Sequence, residues 1–408
     1  MKPIYFFLFI GFLWIGCSRH SQEVSLLPMK LKVTSEIHTD IGVSMQDKTY
    51  PNAKDSIAHY KQNEIHSENI VPHFLKEPNH LRGRKIILEL PIGTSPKRIM
   101  TLVTNLQFVI QSLPTERRFS VVFENDIFDM TDRYYTNGMR LEWSSPDVAH
   151  FPLSRYLIRY NQPAMNTYSI YLVQNMYTPF STKIPPALSG KDRPYCSYLV
   201  FGQRKETTDA IRRLKIKSDI ILGVIGSNSL GSFIQKGVHK SLPTNDPPLG
   251  WETQINNDVV ADYRVQIEKM LSAGKNWQLD VLSAAEAGTL YDNALMGFRI
   301  EAGKSVAYDR ASNANSAQKK KKFRVNAFLQ GESRLIGYDA TLQGGVFNHN
   351  NIYTLASNQI ERLVMKVEAG LNARYSQLGL ELGQTYLTPE YVGGKSHKWG
   401  RIALNFYF

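Results

Sequence analysis

The chain has no internal apolar run approaching the roughly 18 residues that a membrane-crossing helix needs, so no such helix is expected. It has only two cysteines, Cys17 and Cys196. If Cys17 is removed or modified, no intrachain disulfide can form. Several catalytic signatures are also missing. There is no GxSxG nucleophile elbow, no HExxH zinc pair, no P-loop and no cysteine-nucleophile pattern, and Gly231-Ser232 has no such context. Those absences remove the hydrolases and nucleotide-binding proteins that carry such motifs.

What is present is 408 residues, enough for one large domain or two ordinary ones, with a net charge of +12 and a pI near 9.4. The mean hydropathy of −0.30 resembles that of a soluble protein. That average misleads for a β-barrel in a membrane, where lipid-facing and lumen-facing residues alternate and cancel. The basic balance suits an anionic partner such as a membrane surface or the phosphates of lipopolysaccharide. The other reading is that cations such as Lys319 to Lys322 decorate solvated loops. Nucleic acid is not among the expected partners.

The N-terminus reads as an export signal. Lys2 supplies positive charge, Ile4 to Ile15 supply about a dozen apolar residues, and Gly16-Cys17 ends the run at a small residue. Ile15-Gly16-Cys17 resembles a bacterial lipoprotein processing box, with Trp14 where leucine is usual. Lipidation of Cys17 and ordinary cleavage nearby both remain open. Residues 18–118 are polar, rich in His and Lys, and keep no lasting period, so they are expected to form a periplasmic extension, partly disordered.

From Phe119 onward, period-two alternation recurs, the mark of strands with two unlike faces. In the last strand Ile402, Leu404, Phe406 and Phe408 share one face, and Arg401, Ala403, Asn405 and Tyr407 the other. Leu378, Leu380 and Leu382 oppose Gln377 and Glu381; Leu363, Met365, Val367 and Leu371 oppose Arg362, Lys366 and Glu368. Phe323, Val325 and Leu329 oppose Arg324, Gln330 and Glu332, and Trp277, Leu279 and Val281 oppose Gln278 and Asp280. A soluble sandwich would bury those charges unpaired; a barrel lines its lumen with them. The reading is an all-β fold: a closed antiparallel transmembrane barrel over residues 119–408, in the bacterial outer membrane. About twelve strands are counted, beginning near Phe119, Gly138, Tyr168, Tyr195, Lys217, Glu252, Trp277, Leu295, Phe323, Glu361, Gln377 and Trp399. An even number returns both ends to the periplasm, and the long outer loops fall near 126–136, 177–193, 225–250, 289–293, 337–358 and 388–397. The 308–321 connection is long for a periplasmic turn.

Three polar motifs sit at the outer ends of strands. Glu124-Asn125-Asp126-Ile127-Phe128, then Thr131-Asp132-Arg133-Tyr134-Tyr135-Thr136-Asn137-Gly138, joins strands one and two. It brings Asn125, Asp126 and Thr136 together, either as a site or simply as a hairpin of turn-forming residues. Gly223-Val224-Ile225-Gly226, Gln235, His239 and Gly250-Trp251-Glu252-Thr253-Gln254 occupy the third outer loop. A loop histidine is usually just solvated, but beside a carboxylate and a cation it can act as a general base for water. Met176-Tyr177-Thr178-Pro179 and Asp192-Arg193-Pro194-Tyr195 flank the second loop. There Arg193 either partners a rim carboxylate or meets a lipid phosphate, and Lys183 is either a phosphate contact or a solvated charge.

Taken together and in order, ENDIF…TDRYYTNG, MYTP, DRPY, GVIG, QKGVH and GWETQ resemble the LpxR family of outer-membrane lipid A 3′-O-deacylases over about 119–408. The resemblance implies a twelve-stranded barrel with an active site at the outer rim and calcium-dependent removal of the 3′ acyloxyacyl group from lipid A of lipopolysaccharide. It implies that His239 activates water, with Asn125, Asp126 and Thr136 completing the site and Asp126 contacting Ca2+. Lys183, Arg193 and Gln235 are the implied substrate contacts. The chain departs from the family at Cys196, where a small residue is usual, and downstream of His239, where Asp246 is the nearest acid. A non-catalytic channel or scaffold, and an outer-membrane phospholipase, are the readings that compete with it.

Overall fold

The computed structural model describes residues 117–408 except 130–132, 163, 184–191, 242–247 and 304–322, together with the backbones of four short strands nearer the N-terminus. The side chains of 238–241 are likewise outside the description. The chain divides into two compact units, 1–104 and 105–408.

In the first unit β1 (Glu23–Leu26), β2 (Met29–Thr34), β3 (Gly42–Ser44) and β4 (Lys85–Glu89) form one sheet in the order β1-β2-β4-β3. Only the β3–β4 pair is parallel. No lasting sequence period announced these strands. The expected signal segment and Cys17 lie outside the described residues.

The second unit is a closed barrel of twelve antiparallel strands. They are β5 (Arg118–Asn125), β6 (Tyr134–Ser144), β7 (Met165–Thr178), β8 (Cys196–Asp209), β9 (Leu214–Ile225) and β10 (Asp258–Ala273), then β11 (Trp277–Gly288), β12 (Tyr291–Gly303), β13 (Arg324–Asp339), β14 (Leu363–Tyr375), β15 (Leu378–Leu387) and β16 (His397–Tyr407). The last strand closes on the first, with Arg401 opposite Glu124 and Phe406 opposite Phe119. Closure satisfies every strand edge, which lipid demands because it offers no hydrogen-bond partner. Each expected strand is found. The sixth begins six residues later than its turn chemistry suggested, because Trp251-Glu252-Thr253 forms a 3-10 turn with Trp251 buried.

The period-two faces sort as the alternation predicts. Leu363, Met365, Val367 and Leu371 are exposed on the wall, as are Leu378, Leu380, Leu382, Leu404 and Phe406. The opposite face fills the lumen with ion pairs. Lys366 Nζ lies 3.6 Å from Glu332 and 3.8 Å from Glu368. Arg401 reaches Glu381 at 3.1 Å and Glu124 at 3.6 Å. Arg118 and Arg140 hold Glu142, Arg204 holds Asp219, and Lys217 holds Glu268. Nearer the outer end Tyr135, Tyr177, Tyr198, Tyr291 and Trp399 pack into a buried aromatic cluster.

Paired charges and aromatic rings project into the lumen and narrow any water path through it. The purified protein is therefore expected to leave a planar lipid bilayer at baseline conductance. Stable unitary current steps would overturn this and revive the channel reading.

Candidate active site

The connections at the free ends of β5 and β16 are the longer set, including 126–133, 179–195, 226–257, 340–362 and 388–396; long loops mark the extracellular side of such barrels. The first site corner forms where β5 ends. Asn125 Oδ1 accepts the Ile127 N–H at 2.7 Å, an Asx-type turn. This starts the 3-10 turn Asp126–Asp129. Asp126 is buried, and its Oδ2 accepts the Arg133 N–H at 2.8 Å. The chain re-enters the sheet through Tyr134, held at φ +62°. Pairing with β7 then skips Thr136, between Tyr135 and Asn137. This bulge points the Thr136 hydroxyl at Thr178 Oγ1, 2.7 Å away. Bulges re-aim side chains in this way. Thr131 and Asp132 lie outside the described residues.

The register shows which face carries these groups. Asn125 pairs with Asn137, Asn137 with Met176 and Met176 with Ser197. The neighbours Glu124 and Tyr198 belong to the lumen, through Arg401 and the aromatic cluster. By the period of two, the rung Asn125–Asn137–Met176–Ser197 faces outward. An outward rung should be wet by lipid, yet Met176, Thr178 and Ser197 are 3%, 0% and 0% exposed.

Part of what covers them is the third outer loop. Gly226, at φ +97°, turns the chain out of β9. Ser229 then bonds Ser197 hydroxyl to hydroxyl at 2.5 Å, and its carbonyl accepts from Gln174. Helix α1 (Gly231–Ser241) follows and packs against β7 and β8. His239 falls in its last turn, roughly 12 Å along the axis from Gly231 at 1.5 Å per residue; its side chain lies outside the described residues. Sequence reasoning placed His239 in a loop. The apolar pairing Phe233-Ile234 with Val238 was the available signal for a helix, but it is short.

The seat of α1 depends on a missing side chain. A Cβ on Gly231 would lie 2.4 Å from both Cβ and Oγ of Ser197. Gly231→Ala is therefore expected to lift the helix, at about 1–3 kcal/mol of overpacking. Proteolysis of folded protein reads this out: loop 226–257 should be cut faster than in wild type while the barrel stays intact. Unchanged cutting would show that the helix does not depend on that contact.

The remaining motif residues build the platform under the site. Gln235 is buried, and its Oε1 accepts the Trp251 Nε1–H at 2.7 Å. Trp251 packs on Tyr195 with ring centroids 4.9 Å apart. Arg193 has no exposed surface; it bonds Glu390 and, at 2.6 Å, Thr341 Oγ1, and lies 4.0 Å from the Tyr177 ring centre. That geometry is the rim-carboxylate partnership, the first of the two alternatives for Arg193. Lys183 is exposed beyond Phe180. Asn125, Asp126 and Thr136 thus lie together at the outer end of the β5–β6 hairpin, α1 packs on the neighbouring strands β7 and β8, and Arg193 and Gln235 are buried.

Sequence reasoning missed a second cluster at the rim. The Tyr391 hydroxyl donates to Asp192 Oδ1 at 2.8 Å and lies 3.0 Å from the Tyr134 hydroxyl, from which it can accept. Burial first, then those two partners, hold the Tyr391 phenol far above its ordinary pKa, so it remains protonated. Buried His397 lies with Nε2 3.2 Å from the Tyr135 carbonyl and stacks on Trp399. Arg133 and Lys395 approach the Phe180 ring at 4.9 and 4.3 Å. These partners are far apart in sequence, so no local pattern could have joined them.

A search of curated proteins finds no match. Among solved structures, LpxR from Salmonella typhimurium is similar at 20% identity, covering 71% of this chain and 100% of its own, with a TM-score of 0.56. The KdgM porin (6% identity, 71% and 99% covered, TM-score 0.33) and the β domain of the Bordetella autotransporter BrkA (9%, 72% and 97%, 0.34) align more weakly and carry no argument. The family model described as outer membrane protein LpxR matches residues 99–408. The chain therefore belongs to the LpxR family of outer-membrane β-barrel proteins.

Proposed function

We propose that this protein is a lipid A 3′-O-deacylase, an ester hydrolase working at the outer leaflet. The observation that supports this most is the polar rung on the outside of the wall, with the helix that bears His239 packed beside it. A pore has no use for a covered polar patch facing lipid. An enzyme that draws its substrate from the leaflet needs one, because the acyl esters of lipid A are polar groups that must be met on the lipid-facing side.

In this reading His239 takes a proton from water. The resulting hydroxide adds to the ester carbonyl of the 3′ acyloxyacyl group. The tetrahedral intermediate collapses, the bond from the carbonyl carbon to the sugar oxygen breaks, and that oxygen recovers a proton from His239. The products are a free acid and a 3′ hydroxyl, with no acyl-enzyme. Asn125 and Thr136 orient the ester. Lys183, with Arg133 and Lys395, meets the phosphates of the headgroup. Arg193 and Gln235 serve the site through the platform they hold.

The family resemblance also implies calcium. The donors at this corner are the Asp126 carboxylate and the Asn125 side-chain carbonyl. They are oxygen alone, the chemistry calcium prefers. No group of three or more His, Cys, Asp or Glu is placed to hold a metal ion among the described residues. Asp126 would therefore hold the ion with carbonyl oxygens and water as the other ligands. Bound there, calcium would polarise the ester carbonyl and stabilise its oxyanion.

The test is mass spectrometry of lipid A from cells whose lipid A carries a 3′ acyloxyacyl group, with and without the expressed protein, in calcium and in chelator. Loss of that group only with protein and calcium is the expected result. Unchanged lipid A beside a folded, membrane-inserted protein would overturn it, and hydrolysed phospholipid in the same extract would move the substrate to the glycerophospholipids.

A further inference from the structure

The opposite end of the barrel carries a feature that deacylation does not use. The connection from β6 to β7, residues 145–164, is long for a periplasmic turn, which is ordinarily short. It contains two 3-10 turns, Pro146–His150 and Pro152–Tyr156, and buries Val148 and Leu157.

Its partners lie on the outside of the wall. Gln203 Nε2 donates to Ser154 Oγ at 2.5 Å, Lys205 Nζ to the Ile158 carbonyl at 3.0 Å, and Tyr263 to the Tyr156 carbonyl at 3.1 Å. The Ile158 N–H donates to Ser218 Oγ at 3.1 Å. Arg204 and Asp219 pair in the lumen beside Tyr171, so their neighbours Gln203, Lys205 and Ser218 point outward. In bare lipid that polar strip would be unsatisfied. The segment covers it as a collar, and the β8–β9 turn joins in, since Tyr160 donates to Asp209 and Arg212 bonds both Asp209 and Gln162.

The outer surface of this collar is mixed in a particular way. Phe151, Tyr156 and Ile211 are exposed. Arg155 lies 4.6 Å from the Tyr156 ring centre, and Arg159 brings a second positive charge towards Lys205. Arg213 is exposed on the turn. The nearby acids are engaged, Asp147 by Arg117 and Asp209 by Arg212. Among the described residues no carboxylate forms an ion pair with Arg155, Arg159 or Arg213. Exposed apolar residues Phe201, Leu222 and Ile267 continue the lipid-facing wall along the same strands, and Trp143 packs against Phe408 at this end.

Unmatched arginines beside exposed aromatic and aliphatic side chains, at the level where a membrane meets water, fit a lipid with a negative headgroup. We propose that the collar is a docking surface for anionic phospholipid of the periplasmic leaflet. Arg155, Arg159 and Arg213 meet the headgroup phosphate, and Phe151, Tyr156 and Ile211 lie against the upper acyl chains. This site is independent of the outer-rim reaction.

Native mass spectrometry of the full-length protein in nonionic detergent tests it, with phosphatidylglycerol and phosphatidylcholine added in equal amounts. Wild type is expected to retain phosphatidylglycerol severalfold over phosphatidylcholine. Combined Arg155→Gln, Arg159→Gln and Arg213→Gln should erase the preference, while Lys183→Gln with Lys395→Gln at the outer rim should leave it intact. Equal retention by wild type, or loss that follows the rim variant and not the collar variant, would overturn the proposal. Tyr156→Trp gives a second reading in vesicles. Its fluorescence should be quenched more by brominated phosphatidylglycerol than by brominated phosphatidylcholine, and equal quenching counts against the site.

Discussion

His239→Ala is expected to lower release of the 3′ acyl group by about a thousandfold, within the range that loss of a general base usually costs. Folding should be untouched, since the helix is seated through Gly231, Ser229 and Gln235 and none of these contacts involves His239. Two measurements separate the explanations. Lipid A mass spectra report chemistry, and heat-dependent gel migration reports the closed barrel. A folded variant with intact lipid A supports the general base. A folded variant that still removes the acyl group means that α1 only covers the site and that the base lies elsewhere. Lys183→Gln should behave differently, because a single exposed cation contributes to binding and not to proton transfer. Its effect is expected in KM at a few-fold, with kcat nearly kept.

The strands were legible because each one carries its own evidence. Leu378, Leu380 and Leu382 alternate with Gly379, Glu381 and Gly383, and one strand is enough to assign both faces. The exposed residues of β14, β15 and β16 are those the alternation picked out. The site was legible only in part. Asn125, Asp126 and Thr136 lie within one hairpin, so their meeting is a local matter. The bulge at Thr136 has no sequence mark beyond the turn residues around it. The ties between outer loops are different in kind. Asp192 finds Tyr353 and Tyr391, and Arg193 finds Thr341 and Glu390, across more than 140 residues. Such pairs have no period, and only closure of the barrel brings their loops to one rim. The collar failed to show for the same reason: Gln203 and Lys205 look like lumen residues until their partners on the outside are known.

Arg193→Ala is the substitution expected to damage the outer rim most without touching a proposed reacting group. The guanidinium is fully buried, and burial by itself would lower its pKa; Glu390 and Asp339 outweigh that and keep it above the ordinary value, so it is charged. Removing it strands Glu390, opens a void under Tyr177 and frees Thr341. Breaking a buried pair in this way costs about 3–5 kcal/mol, and Glu390, at 22% side-chain exposure, puts the loss towards the lower end. The damage should spread along one physical route. Arg193 is two residues from Tyr195, Tyr195 packs on Trp251, Trp251 donates to Gln235, and Gln235 belongs to the helix that carries His239. Protease added to intact cells should therefore cut loops 179–195, 226–257 and 388–396 in the variant and spare them in wild type, with deacylation falling in step. The strands, paired independently of the rim, should stay protected. Arg193→Lys keeps the charge but not the two-pronged fork, so it should fall between. Arg193→Met combined with Glu390→Gln removes both charges of the pair and should recover part of the lost resistance, because Glu390 is then no longer stranded, although buried Asp339 still loses its cation. Wild-type resistance in Arg193→Ala would show that the rim does not rest on this pair, and the route from Arg193 to α1 would have to be abandoned.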